Sequence, residues 1–220
     1  MKKVFFVLTI LLIILCSGYT LNDEVAEYNF DIDDLVDYQK IYKGEEIETC
    51  SNSSVKTYMD YRAINSRASK QYWFIQNHMS VDDETGFLYD EEGFIGVALG
   101  SYYGEIGDRF YFTLDTGVVL PLVKIDGKAD VHTDESGCYQ AYDNSIIEFV
   151  IDKNLANEYF GYYGNGLVLS GNYNNYELFR GQIVKVEKVL DEKNENYVTF
   201  EEKEIMEFDN TDIFDYGSGY

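Results

Sequence analysis

The sequence predicts a mainly β protein, and three observations carry that prediction. Five runs are rich in β-branched and aromatic residues: F-I-G-V-A-L-G from Phe94, R-F-Y-F-T-L from Arg109, V-V-L-P-L-V-K-I from Val118, S-I-I-E-F-V-I-D from Ser145 and G-Q-I-V-K-V-E-K-V from Gly181. Turn residues separate them, at Gly104, Gly107, Asp115-Thr116-Gly117 and Asp126-Gly127. The last run alternates apolar and polar positions as a half-buried strand does. Short strands with short polar connections favour a barrel or sandwich over a parallel α/β sheet.

The chain opens Met1-Lys2-Lys3 and is then apolar from Val4 to Leu15. A basic start and an apolar stretch of that length predict a secretory signal peptide over residues 1–18, cleaved just before Tyr19. The stretch is too short to span a membrane comfortably. In a rival reading Cys16 is lipidated, which would give a lipoprotein at the membrane surface; Leu15 opposes it, because a small residue normally precedes a lipidated Cys. Residues 19–49 are acidic, carry too little apolar area to fold alone, and are expected to form a linker or a short helix. The folded domain is assigned to residues 50–190. Within it, the stretch from Tyr58 to Gln76 is ambiguous, with Ser66–Ser69 as a turn between two extended pieces. Residues 154–180 are rich in Tyr, Gly and Asn and read as a long loop with a hairpin around Gly164–Gly166, or as an aromatic surface for sugars. Residues 191–220 form a second acidic extension, with one strand expected at Tyr197–Phe200.

The formal net charge of −23 repels phosphate backbones and anionic bilayers. Nucleic acid is therefore excluded as a partner, and a membrane partner follows only from lipidation of Cys16. Export places the remaining cysteines in an oxidising compartment. Cys50 and Cys138, 88 positions apart, then either form a disulfide or stay as two buried thiols. Closing such a loop contributes roughly 4 kcal/mol by restricting the unfolded chain.

The segment K-A-D-V-H-T-D, Lys128–Asp134, holds one of the two histidines. As a strand it would set Asp130, His132 and Asp134 on one face, a geometry suited to a divalent metal. The turn residues on both sides, Asp126-Gly127 and Glu135-Ser136-Gly137, oppose a strand, so neither a metal nor any other cofactor is expected. His78 has no accompanying nucleophile motif, and no phosphate loop, dinucleotide fingerprint, zinc pattern or EF-hand loop is present.

Taken together, residues from about Val55 to Val189 resemble a group of small exported, phage- or mobile-element-encoded proteins of Firmicutes. More distantly they are similar to the double-psi β-barrel of three-aspartate (3D) domains, rare-lipoprotein-A-like domains and lytic transglycosylase A. Ile106-Gly107-Asp108-Arg109-Phe110-Tyr111-Phe112 matches the family's L-G-T-x-V-x-V. The loop Asp126–Asp134 stands where the family carries its acid, and Asn144-Ser145-Ile146-Ile147-Glu148-Phe149 matches the last R-I-D-V-x-F strand. Two departures are visible: D-G-K-A-D replaces D-T-G-G, and Ile146 or Ile147 stands at the aspartate of R-I-D, with Asp143 preceding the strand instead. The resemblance implies a six-stranded double-psi-like β-barrel with acidic N- and C-terminal extensions, secreted or wall-associated. It also implies that peptidoglycan glycan strands are bound or cleaved. Asp130 is then the expected catalytic acid, with Asp126 as the alternate. His132, Asp134, Asp143, Tyr102 and Tyr103 are the expected substrate contacts. A non-catalytic exported accessory or structural protein of a phage or mobile element is the competing expectation.

Overall fold

The computed structural model describes residues 31–161, 171–195 and 197. The predicted signal peptide, the hairpin at Gly164–Gly166 and most of the C-terminal extension lie outside these residues. So do residues 198–200 of the strand expected near the C-terminus.

Nine strands share one mixed sheet: β1 (Tyr42–Ile47), β2 (Thr57–Asp60), β3 (Ser80–Val81), β4 (Leu88–Tyr89), β5 (Ile95–Leu99), β6 (Arg109–Leu114), β7 (Val119–Gly127), β8 (Glu148–Ile151) and β9 (Ile183–Lys193). Among the described residues two α-helices accompany them, α1 (Lys70–His78) and α2 (Lys153–Phe160). The main path runs β1-β9-β6-β7-β5-β4-β3, and β8 pairs β5 on one side and β2 on the other. The pairs β5/β7 and β2/β8 are parallel, and the remaining pairs are antiparallel. The mainly β class therefore holds. The closed six-stranded barrel does not form: the described strands leave β1 and β3 at the ends of an open path, and there are more of them.

The first four β runs are largely apolar because the sheet is covered on both faces there, whereas β9 alternates and keeps one face toward water. Alternation sorts their side chains into two buried clusters. Ile95, Val97, Leu99, Phe110, Phe112, Leu120, Leu122, Phe149 and Ile151 enter the larger one. Phe94, Ala98, Tyr111, Val123, Ile125 and Val150 enter the other, under Ile75 of α1.

Residues 31–47 are not merely a linker. They lack the apolar area to fold alone, but Ile32 and Leu35 are buried in the larger cluster and β1 adds itself to the edge of β9. At the other end, β9 continues through Lys193, into the stretch expected to be an extension. The loop expected over 154–180 begins instead as α2, capped by the Asp152 carboxylate, which accepts from Asn154 N at 2.9 Å and Leu155 N at 3.4 Å. The helix ends at Gly161, whose φ of 91° suits glycine. Among the described residues that follow, Tyr173 and Phe179 turn inward. Tyr173 is fully buried, with its ring 5.3 Å from those of Phe149 and Phe160, so it is core rather than sugar-binding surface. The ambiguous stretch resolves into β2, the turn closed by Ser69 N donating to Ser66 O at 2.9 Å, and α1, capped by Ser69.

Candidate active site

The carboxylates gather where β5, β7 and β8 meet. Asp126 of β7 and Glu148 of β8 are both in register with Ala98 of β5. A bulge between Val97 and Ala98 makes Ile125 the extra residue on β7, since Val97 pairs with Lys124 and Ala98 pairs with Asp126. In-register partners share a face, so Asp126 and Glu148 flank Ala98 on the face covered by α1. Their backbones stand about 10 Å apart, two strand spacings.

Both carboxyls are half-buried and have raised pKa values. Burial is the largest cause for Asp126; the Gly127 N–H, the Gln71 side chain of α1 and the Lys124 charge pull the other way. Burial also leads for Glu148. Lys128 opposes it, while Asp126 and Asp143 reinforce it. The two lysines respond in the complementary sense. Burial lowers Lys128 against the pull of Glu148 and Asp143, and its ammonium donates to Ser145 O at 3.1 Å. Burial lowers Lys124 too, and its ammonium donates to Gly100 O at 2.8 Å and Gly104 O at 2.7 Å. The site thus holds a carboxyl that keeps its proton more readily than a free aspartate, a second carboxyl coupled to it, and amines to balance the charge. That set is suited to general acid–base chemistry.

Asp130 is close enough to act on the Lys124 charge, but it stands in water. Asp130–His132 is a short 3-10 turn with Asp130 and His132 exposed, so Asp130 lacks the shelter expected of the acid. The turn also removes the period-2 face on which a metal triad would depend. Among the described residues, no group of three or more His, Cys, Asp or Glu side chains is placed to hold a metal ion.

Asp134 makes a turn. Its carboxylate accepts from Cys138 N at 2.7 Å, Tyr139 N at 2.9 Å, Ser136 N at 3.0 Å and the Ser136 hydroxyl. Burial pushes its pKa up, and these hydrogen bonds outweigh that push and bring it down to about 2. Asp143 makes a second turn by accepting from Ser145 N at 2.9 Å, and it sits close enough to Lys128 and Glu148 to act on their charge.

Tyr102 is exposed, and its hydroxyl donates to Glu48 O at 3.3 Å. Tyr103 cannot stack on a sugar: it is 1% exposed, and its hydroxyl lies 3.2 Å from Cys138 Sγ and 3.6 Å from Cys50 Sγ. Those two cysteines are joined as a disulfide with a Cα–Cα distance of 6.5 Å.

Of the residues expected at the site, the structure brings Asp126 and Asp143 together, leaves Asp130 exposed within reach of the Lys124 charge, and uses Asp134 in a turn and Tyr103 in the core. It adds Glu148, Lys128 and Gln71. Glu148 had a sequence signal: it is the one charge inside the apolar run Ile146–Ile151. Gln71 had none, because its role depends on where α1 docks. Among the described residues no helix is long and apolar enough to cross a membrane. Comparison of the chain with family profiles, with curated proteins and with solved structures gives no match in any of the three.

Proposed function

We propose that the protein is exported and directed at the cell wall, where it binds or cleaves peptidoglycan glycan strands, with Asp126 in place of Asp130 as the acid. The observation that supports this is the sheltered, proton-retaining Asp126 beside Glu148 at a strand end. It falls within the loop region where the resemblance to double-psi β-barrel transglycosylases expects an acid. In this reading protonated Asp126 gives its proton to the glycosidic oxygen as the bond to the anomeric carbon breaks. The resulting carboxylate takes the proton of the muramic acid C6 hydroxyl as that oxygen attacks the anomeric carbon, leaving a 1,6-anhydro sugar. One acid serves both steps, and no water is consumed.

The test is digestion of purified sacculi at acidic and neutral pH, read by mass spectrometry for anhydro-muropeptides. The wild-type chain and Asp130→Asn are expected to yield them and Asp126→Asn is not. No product from the wild-type chain at either pH, with pelleting on sacculi retained, would leave glycan binding without cleavage.

A second reading, a non-catalytic exported accessory protein of a phage or mobile element, is favoured by the firmly held, apolar-tipped loop that follows Asp130. Failure of the chain to pellet with sacculi at all would favour it over the first.

A further inference from the structure

The loop from Lys128 to Ser145 is anchored at many points, yet leaves two large apolar side chains in water. The disulfide holds Cys138, and the Asp134 carboxylate gathers Ser136, Cys138 and Tyr139. Tyr102 N donates to Gly137 O at 3.2 Å, and Gly100 lies so close to that oxygen that a Cβ there would meet it at 1.9 Å. Lys128 and Ser51 tie down the far side through Ser145 O and Asn144 O. Within the loop, Thr133 bridges Gln140, and Ala141 N donates to His132 O at 3.0 Å. The next residues outward from that pair are Val131 and Tyr142, 83% and 93% exposed.

A chain that orders a loop this firmly while leaving an aliphatic and an aromatic side chain in water has met the entropic cost of presenting them in advance. That preorganisation favours binding. Single exposed apolar residues are ordinary; two that stand opposite one another in the register set by Thr133/Gln140 and His132/Ala141 form a small anchor. Its surroundings select the partner. Asp130 and His132 flank Val131 in the chain, Asp143 follows Tyr142, and the exposed Glu135 lies on the same loop, on a chain of net charge −23. A second copy would bring the same charges and be repelled, as would an anionic lipid surface.

We propose that the Val131/Tyr142 tip is a docking knob for a basic polypeptide that offers an apolar socket rimmed by Lys or Arg. This inference does not depend on the wall-glycan reading, because it uses neither Asp126 nor Glu148.

The test is selection of a displayed random-peptide library on the full chain, followed by binding of the selected peptides to three forms. These are the wild-type chain, V131S/Y142S, and the rim charge reversal D130K/E135K, all four substitutions being at exposed positions. The expected peptides pair an apolar anchor with flanking Lys or Arg. They are expected to bind at least about tenfold more weakly to either variant and to weaken with added salt. Four results would overturn the proposal: no enrichment; enriched peptides that bind V131S/Y142S as well as the wild-type chain; self-association of the wild-type chain abolished by V131S/Y142S, which assigns the tip to a second copy; or sacculus binding lost in Y142S with no peptide selected, which assigns it to a glycan. The sacculus digestion tests Asp126 separately, so either idea can fail alone.

Discussion

Asp126 and Glu148 stand on opposite sides of Ala98, each in register with it from a neighbouring strand, and burial raises the pKa of both. The Asp126 charge also disfavours ionisation of Glu148. A carboxyl whose folded pKa is raised adds stability below its ordinary range and loses it as the pH rises through the folded value. The pair therefore weakens the fold at neutral pH, which is common where a fold keeps a reactive group.

Replacing Asp126 by Asn removes that charge while keeping an acceptor for Gln71. Asp126→Asn is expected to raise the melting temperature by about 2 °C at neutral pH. The gain should vanish in acid, where Asp126 is already protonated. Thermal melts at the two pH values measure this, and an equal gain at both would contradict it.

The disulfide closes a separation of 88 residues and fixes the loop that carries Val131 and Tyr142. Cys50→Ser together with Cys138→Ser is expected to reduce stability by roughly 4 kcal/mol, chiefly by freeing the unfolded chain. Urea unfolding of the oxidised wild-type chain and the variant gives the difference. An unchanged midpoint would count against the bridge.

Asp134 acts in the opposite sense to Asp126. Its carboxylate is held at about 2 by hydrogen bonds that outweigh burial, so its contribution is present above the ordinary aspartate value and disappears as pH falls from there to about 2. In Asp134→Ala the corresponding part of the acid sensitivity should be missing. The amides of Cys138 and Tyr139 should exchange with solvent faster, as hydrogen-exchange NMR would report.

Lys56 is 0% exposed, and its ammonium donates to Ser54 O at 3.1 Å and Gly181 O at 2.9 Å. Burial lowers its pKa to about 8, against the pull of Asp115. Between that value and the ordinary lysine range the unfolded chain binds more protons, so this group makes stability rise with pH there. Lys56→Met should flatten that rise. A wild-type-minus-variant stability difference that stays constant across the interval would rule it out.

Arg109 donates to the buried Asp90 at 2.7 Å, and Glu91 and Glu92 each approach it to 3.5 Å. Arg109→Met leaves Asp90 buried without its cation and is expected to cost about 3 kcal/mol at neutral pH, with a smaller loss in acid. Chemical denaturation at both pH values decides it.

The difference between Asp126 and Asp130 shows how far the sequence reaches. Both come after the same apolar run, Val118–Ile125, within one short polar segment, and nothing local distinguishes a sheltered carboxyl from one in water. The distinction comes from the bulge at Val97/Ala98 and from Gln71, which docks from a helix more than fifty positions earlier. Tyr102 and Tyr103 make the same point: adjacent and identical, one is exposed while the other is buried against a disulfide.

By itself the sequence determined the β class and the main strands, because side-chain shape and turn residues act over a few neighbouring positions. It also determined the acidic charge and the presence of two cysteines able to pair. Only the tertiary structure decided that the nine strands of the described residues form an open mixed sheet, that residues 31–47 join it, and that Asp126 and Glu148 flank one residue, Ala98. Burial and register arise from contacts between distant segments, and no local pattern encodes which segments meet.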